Sequence, residues 1–394
     1  HHVRTAESPR GGHVRAPAAE MLDVEYPILA FSHCRDVVAA VTNAGGFGVL
    51  GAVAHTPEQL EIDLTWIENE VCGRPYGLDL LLPQKYEGAD QGGLDRDALR
   101  QLLPAEHQAF VDDILARYQV PDLDPSRREA VSGIGGMSVS PKGYEPLLDV
   151  AFAHDISLIA SALGPPPVSV IDRARKAGIL VAALAGTKEH AVRHKDAGVD
   201  LIIAQGTEGG GHTGEVATMV LVPEVVDAVS PTPVLAAGGI GRGRQVAAAM
   251  ALGAQGVWCG SVWLTTEEAE TSDTIKAKYL AAGSTDTVRS RSITGKPARM
   301  LRTKWTEEWE RDDAPGPLGM PLQPLLVSEA QARINRSANT AGSGAEELAT
   351  YFVGQVVGQM NRPKKAGQVV QDMVTEYADV LTRFADEASA ITGD

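Results

Sequence analysis

Cysteine is scarce in this 394-residue chain. The three present, Cys34, Cys72 and Cys259, make no CxxC pair, which argues against a disulfide framework and against a structural zinc site, so no metal is expected. A reducing cytoplasm is the compartment this implies. No apolar run approaches the roughly 20 residues that a membrane-crossing helix needs. The opening HHVRTAESPRGGH has no apolar stretch of the signal-peptide kind, and its first two histidines read as a tag remnant. Basic residues are outnumbered, 35 against 51 acidic ones, for a formal net charge of -16. Such a surface repels phosphate backbones and anionic lipids, so neither nucleic acid nor membrane is an expected partner. Any anionic ligand must be held by local donors.

What is present is ordinary globular material: 44% hydrophobic and 22% charged residues, enough for one large core or two smaller ones. Eight short apolar runs stand out between glycines and prolines: ILAF (28–31), GVLGAV (48–53), YGLDLLL (76–82), ISLIASAL (156–163), ILVAALAG (179–186), VDLIIAQG (199–206), PVLAAGG (233–239) and GVWCGSVW (256–263). They are hydrophobic almost throughout, as parallel strands buried on both faces must be. Helical stretches such as RDVVAAVTNAG, PEQLEIDLTWIENE, VSVIDRARKAG, KEHAVRHKDAG and GRQVAAAMALGA lie between them, several closing on a glycine. Eight such units in series most simply close into a (β/α)8 TIM barrel of the α/β class. A doubly wound open sheet would carry a glycine-rich turn after its first strand, and AFSHCRD offers none.

Two segments break the rhythm. Residues 83–143, after the third strand, are polar and proline-containing with one helical candidate, HQAFVDDILARY. They read as an inserted cap or lid on the active-site side. Toward the C-terminus, EELATYFVGQVVGQM and VVQDMVTEYADVLTRFADEAS both show apolar residues at helical spacing. These two helices are expected to pack on the barrel or on a second subunit, giving a homodimer.

In TIM barrels the loops after strands seven and eight often form a phosphate site. GGIGRGRQ follows the seventh run, with Gly238, Gly239 and Gly241 permitting close backbone approach, and Cys259-Gly260-Ser261 ends the eighth, where Ser261 adds a hydroxyl. Two glycine-rich turns at both expected places point to a phosphorylated ligand, a flavin or a sugar phosphate. After the sixth run, AQGTEGGGHTG places Gln205 at a strand end, then Gly209, Gly210 and Gly211, then His212. With so few side chains a planar ring can lie against that loop, and His212 is then placed for proton transfer or for polarising an oxyanion.

AQGTEGGGHTG together with LAAGGIGRGRQVAAAMALGAQGVWCGSVWL resembles the flavin-binding signature of the nitronate monooxygenase (2-nitropropane dioxygenase) family, which also holds flavin-dependent enoyl-ACP reductases. The likeness extends to VTNAGGFGVLG, SALGPPPVSVIDRARKAGILVAALAGT and SITGKPARML, covering most of residues 25–310, with the insertion and the C-terminal helices outside it. The resemblance implies FMN as cofactor, with Gln205, Gly210 and Gly211 at its ring or ribityl chain, Gly238, Gly239, Gly260 and Ser261 at its phosphate, and backbone contacts from Ala30 and Phe31. It places His212 at the family's catalytic histidine. The implied layout is an N-terminal tail (1–24), an FMN-binding barrel (25–336) with its insertion, and a C-terminal helical extension (337–394).

This chain departs from the family at the first and third strands. Ala30-Phe31-Ser32-His33-Cys34 stands where the family reads Ala-Pro-Met, so His33 becomes a second candidate acid/base group or substrate ligand. Asp79 replaces an asparagine and, by strand alternation, points at the barrel axis; a buried lone carboxylate must be paired or protonated, so Asp79 is a candidate for catalysis or flavin contact. Cys34 and Cys259 read as small buried residues, whereas Lys296 and Arg299 could bring positive charge to the barrel mouth. Three functions follow: an FMN enzyme oxidising alkyl nitronates with O2, an NAD(P)H-linked FMN reductase of an acyl thioester, or a flavin-binding protein without turnover. The histidine on the loop argues against the last, because binding alone needs no acid/base group.

Overall fold

Strands that are hydrophobic along their whole length need cover on both faces, and a ring of helices around a closed sheet supplies it. The computed structural model describes residues 16–82, 96–123, 141–162, 164–340 and 342–392. Each of the eight apolar runs overlaps one strand: β1 (Ile28–Ser32), β2 (Phe47–Gly51), β3 (Gly77–Leu80), β4 (Leu158–Ser161), β5 (Leu180–Ala185), β6 (Leu201–Gln205), β8 (Val234–Ala237) and β9 (Gly256–Cys259). They pair in parallel in that order. Ile28, Leu29 and Ala30 then sit in register with Val257, Trp258 and Cys259, closing the (β/α)8 barrel. Three further strands, β7 (Gly211–His212), β10 (Thr287–Ser290) and β11 (Ala298–Leu301), make a small antiparallel sheet in the order β10-β11-β7.

The period-two alternation of a strand sorts the side chains. Leu78 and Leu80 join the cluster under the helices, while Leu29, Val49, Leu158, Ile203 and Trp258 fill the barrel interior. Residues placed by the sequence in an N-terminal tail also belong to that interior core: the helix Pro17–Met21, Leu22 and Val24 contribute buried side chains to it. The helices Arg35–Asn43, Pro57–Val71, Val168–Ala177, Lys188–Asp196 and Gly243–Ala251 lie where the sequence suggests. Gly178 and Gly198 end two of them at φ +74° and +88°, a conformation that favours glycine.

A second core stands apart from the first. It joins Val111, Ile114 and Leu115 of the helix Ala105–Arg117 to Met300 and Leu301 of β11, to Trp305 and Trp309, and to Val327 and Ile334 of the helix Leu322–Ser337. Of the inserted segment, residues 83–95 and 124–140 lie outside the described residues; its helix Ala105–Arg117 is built into this core. Glu308 fastens it electrostatically, accepting from Arg117 Nη1 and Nη2 at 2.8 and 2.7 Å, from Arg311 Nη1 at 2.9 Å and from the Tyr118 hydroxyl at 3.1 Å. The Arg117 bonds, aided by Arg311 and Tyr118, hold the Glu308 carboxyl down at about 2.

The two expected C-terminal helices fare differently. The second is a 27-residue helix, Ala366–Thr392. It packs so closely on Gly243–Ala251 that a Cβ at Gly243 would collide with the Met373 carbonyl, and Glu376 accepts from Arg242 Nη2 at 2.7 Å. Further along, Leu381, Phe384 and Ile391 are exposed. The first is not one helix: Ala345–Leu348 makes a single turn, Phe352 bridges to Met300 across a strand contact, and Gln355–Gln359 is a 3-10 turn. Val353, Val356 and Val357 are buried among elements on more than one side, which removes the helical logic of their spacing. No helix among the described residues is long and apolar enough to cross a membrane.

Candidate functional site

At the C-terminal ends of β1 to β3 the chain gathers Phe31, His33, Gly51 and Asp79. The Phe31 ring stacks on Trp258 at 6.1 Å between centroids and meets the His33 ring edge-on at 5.1 Å. Gly51 makes this possible, since a Cβ there would stand 2.7 Å from His33 Nδ1 and 2.8 Å from Phe31 ring carbons. His33 Nδ1 donates to the Gly51 carbonyl at 2.8 Å, which fixes the proton on that nitrogen and leaves Nε2 as an acceptor. His33 is exposed to solvent yet walled in by protein, the condition of a side chain in a deep cleft; desolvation lowers its pKa, and the nearby His55 lowers it further. His55 is itself held by Asp63 at 2.9 Å, with Arg35 on the other carboxylate oxygen at 2.9 Å.

Asp79 is 3% exposed and faces inward, opposite to Leu78 and Leu80. Among the described residues its carboxyl has no hydrogen-bond partner, and burial pushes its pKa well above the carboxylate range. The raised pKa means that the folded chain loses stability as pH rises above the unfolded carboxylate's value of about 3.9. Asp79→Asn removes that cost. We expect its melting temperature at pH 7 to rise by roughly 2 °C or more, with the gain vanishing near pH 4; calorimetry showing no gain at pH 7 would mean that the carboxylate is compensated in the folded protein.

On the other side of the barrel, the loop after β6 is fastened at several points. Glu208 accepts from the Thr218 backbone N–H at 3.0 Å and its hydroxyl at 2.8 Å, capping the helix Thr218–Val229. Its carbonyl accepts from Gln355 N at 2.9 Å, and Gly354 N donates to Ser261 Oγ at 2.8 Å. A Cβ at Gly210 would stand 2.9 Å from Gly354 N and Val353 C, so this glycine lets the 353–354 backbone pass. Gly354 and Gln355 therefore belong to the site, as does Phe352, whose ring is 6.3 Å from that of His212. All three lie in EELATYFVGQVVGQM, whose helical spacing disguised them.

His212 occupies β7, paired through Ala298 with β11. Its Nε2 lies 2.8 Å from Thr294 Oγ1, and Nδ1 has no partner among the described residues, nor is it sealed from solvent. Burial, then the charge of Lys296, lowers the imidazole pKa to about 4, so it is neutral at physiological pH. Arg299, expected nearer the surface, is only 8% exposed and donates to the Thr207 carbonyl at 2.8 Å, while Arg289 donates to the Thr213 carbonyl at 3.1 Å. The two arginines hold both ends of the glycine loop.

Gly238 and Gly239 follow β8 at φ +107° and +71°, in a turn fastened by Gln245, which donates to the Gly239 carbonyl at 2.6 Å and accepts from Gly241 N at 2.9 Å. The N–H groups of Gly239, Gly260 and Ser261 have no acceptor among the described residues. A Cβ at Gly260 would meet only Phe31, at 3.7 Å, and one at Gly211 nothing at all. Orphaned donors on two neighbouring strands beside open space fit an anionic phosphate, and the clear face of Gly211 fits a flat ring. A cavity of about 310 Å³ runs along Gly238, Gly239, Gln245, Gln355 and Val356. Gln205, Gly210, His212, Gly239 and Ser261 thus form one group and His33 and Asp79 another. Phe31 touches both. Ala30 faces the helices and offers only its backbone. Cys34 and Cys259 are buried, burial pushing the Cys259 thiol up to about 12.

The sequence model of the family described as nitronate monooxygenase matches residues 18–376. The match thus runs well beyond 25–310 and takes in Gly354 and Gln355. A Mycobacterium tuberculosis protein provisionally named a monooxygenase is 67% identical over 368 residues, covering 93% of this chain and 98% of the relative. A Staphylococcus saprophyticus protein provisionally named a nitronate monooxygenase is 29% identical over 382 residues, covering 92% and 98%. Among solved structures, nitroalkane oxidase from Streptomyces ansochromogenes superposes with a TM-score of 0.75 at 27% identity, covering 93% of this chain and 99% of that one. FabK from Thermotoga maritima gives 0.70 at 26%, covering 95% and 100%.

Proposed function

Because the chain belongs to the nitronate monooxygenase family and is an oxidoreductase, we propose that it is an FMN enzyme oxidising alkyl nitronates with O2, with His212 as its acid/base or oxyanion-stabilising residue. The observation that carries this reading is a neutral imidazole with an open Nδ1, held on the same loop that borders three orphaned backbone donors. Gly239, Gly260 and Ser261 would hold the FMN phosphate; Gln205, Gly210, Gly211 and the backbone of Ala30 and Phe31 would border its ring and ribityl chain. Bound there, FMN supplies the redox chemistry. The protein's own part is to orient substrate and manage a proton. His212 sits where it can take one from a nitroalkane carbon or steady a nitronate oxygen, and Phe352 covers its flank.

His33 and Asp79 favour one further reading. Two titratable groups on the opposite wall exceed what plain nitronate oxidation needs, and they suit an enzyme that reduces an acyl thioester with electrons from NAD(P)H. Anaerobic mixing separates the two. We expect the flavin absorbance of the purified enzyme to bleach with propionate 3-nitronate alone; bleaching by NADH or NADPH only would replace the first reading with the second.

A further inference from the structure

Thr294 lies in the turn between β10 and β11, 82 residues from His212, yet the two side chains meet at 2.8 Å between Oγ1 and Nε2. A threonine hydroxyl has one proton to give and two lone pairs to receive. Two backbone groups of Lys296 also address it, the carbonyl at 3.1 Å and the amide nitrogen at 3.4 Å from Oγ1. If the hydroxyl proton goes to the Lys296 carbonyl, Oγ1 is left to receive both Lys296 N–H and His212 Nε2–H, and all three contacts are hydrogen bonds. If it goes to His212 instead, Oγ1 and the Lys296 carbonyl face each other at 3.1 Å with no proton between them. Thr294 is 1% exposed, so water does not relieve that opposition. The first arrangement leaves no group in conflict.

We propose that Thr294 is the positioning residue of the site: its hydroxyl, anchored on the Lys296 backbone, holds His212 as the Nε2–H tautomer and leaves the lone pair of Nδ1 free on the unpartnered side of the ring. The proposal rests on reading His212 as the acid/base residue and decides between its two roles. A neutral imidazole in this tautomer accepts a proton at Nδ1 and has none there to donate. With a nitroalkane, the Cα–H bond breaks, its proton bonds to Nδ1, and the electron pair moves into the nitro group to give the nitronate. Only the imidazolium so formed donates to a nitronate oxygen. The loop's place does not depend on the hydroxyl, since Arg289 and Arg299 clamp both its ends.

The test is nitrogen NMR of the FMN-loaded enzyme with 15N-labelled histidine, using His212→Asn to assign the His212 signals among the 10 histidines. The wild type should show a protonated Nε2 and an unprotonated Nδ1. Thr294→Val, which keeps the shape and loses the bond, should give a mixture of tautomers and lower kcat by about 10-fold or more with KM little changed, the scale on which orienting partners of histidines act. Thr294→Ser should restore both. A wild type protonated on Nδ1, or a Val variant with the wild-type tautomer, overturns the proposal. Full turnover in His212→Asn would instead sink the reading of His212 itself, while the wild-type tautomer still decides the role of Thr294.

Discussion

His212→Asn is expected to keep its flavin and lose at least about 100-fold in turnover, the scale of lost proton-transfer catalysis. The loop remains fastened by Arg289 and Arg299, so the fold should hold. What disappears is a neutral imidazole lone pair able to take up a proton. The pH profile provides a second check. Burial and Lys296 lower the His212 pKa to about 4, so the working neutral form persists above that value and is lost as pH falls through it. The acid limb of kcat/KM should therefore lie near pH 4 and not near the ordinary histidine value of about 6.5. Near-normal turnover in the variant, measured with the neutral nitroalkane under air, would remove His212 from the mechanism.

Gly260→Glu should give a folded, colourless protein. The backbone at Gly260 has φ -114°, open to any residue, and a Cβ would touch only Phe31 at 3.7 Å, so the substitution is tolerated sterically. Its carboxylate would enter the space beside the unpaired N–H groups of Gly239, Gly260 and Ser261, where it repels a phosphate and competes for its donors. Gly260→Ala is the control and should remain yellow. A Glu variant that binds its full complement of flavin, judged by the ratio of visible to ultraviolet absorbance, would move the phosphate elsewhere.

Much of the architecture is legible in the sequence because buried parallel strands leave a strong signature: each of the eight apolar runs overlaps one barrel strand. The inward direction of Asp79 is legible too, since alternation along β3 needs only the neighbouring leucines. Whether its carboxyl finds a partner is not, for that depends on what the other strands bring. The bond between His212 and Thr294 spans 82 residues and leaves no local pattern. β7 has two residues, too few for any period to declare itself. At Tyr351 to Val357 the apolar spacing suggested a helix because nearly every residue is covered, and a segment buried on more than one side carries no periodic sign of its conformation. Glycine had a similar ambiguity. Gly210 could mark room for a ligand, and the structure adds a second reason, the passage of Gly354.

The second core sets a timetable for the nascent chain. Arg117 and Glu308 are 191 residues apart. At roughly 5 to 20 residues per second, about 10 to 40 s separate the emergence of the two. Through that interval Val111, Ile114 and Leu115 are already made, while Trp305, Trp309 and Ile334, which they will pack against, are not. All eight barrel strands are complete by Cys259, so the barrel can close early, with the apolar side of the helix Ala105–Arg117 still waiting. A ribosome that stalls after the barrel would thus release a chain that looks finished by its strands but carries an uncovered, aggregation-prone helix.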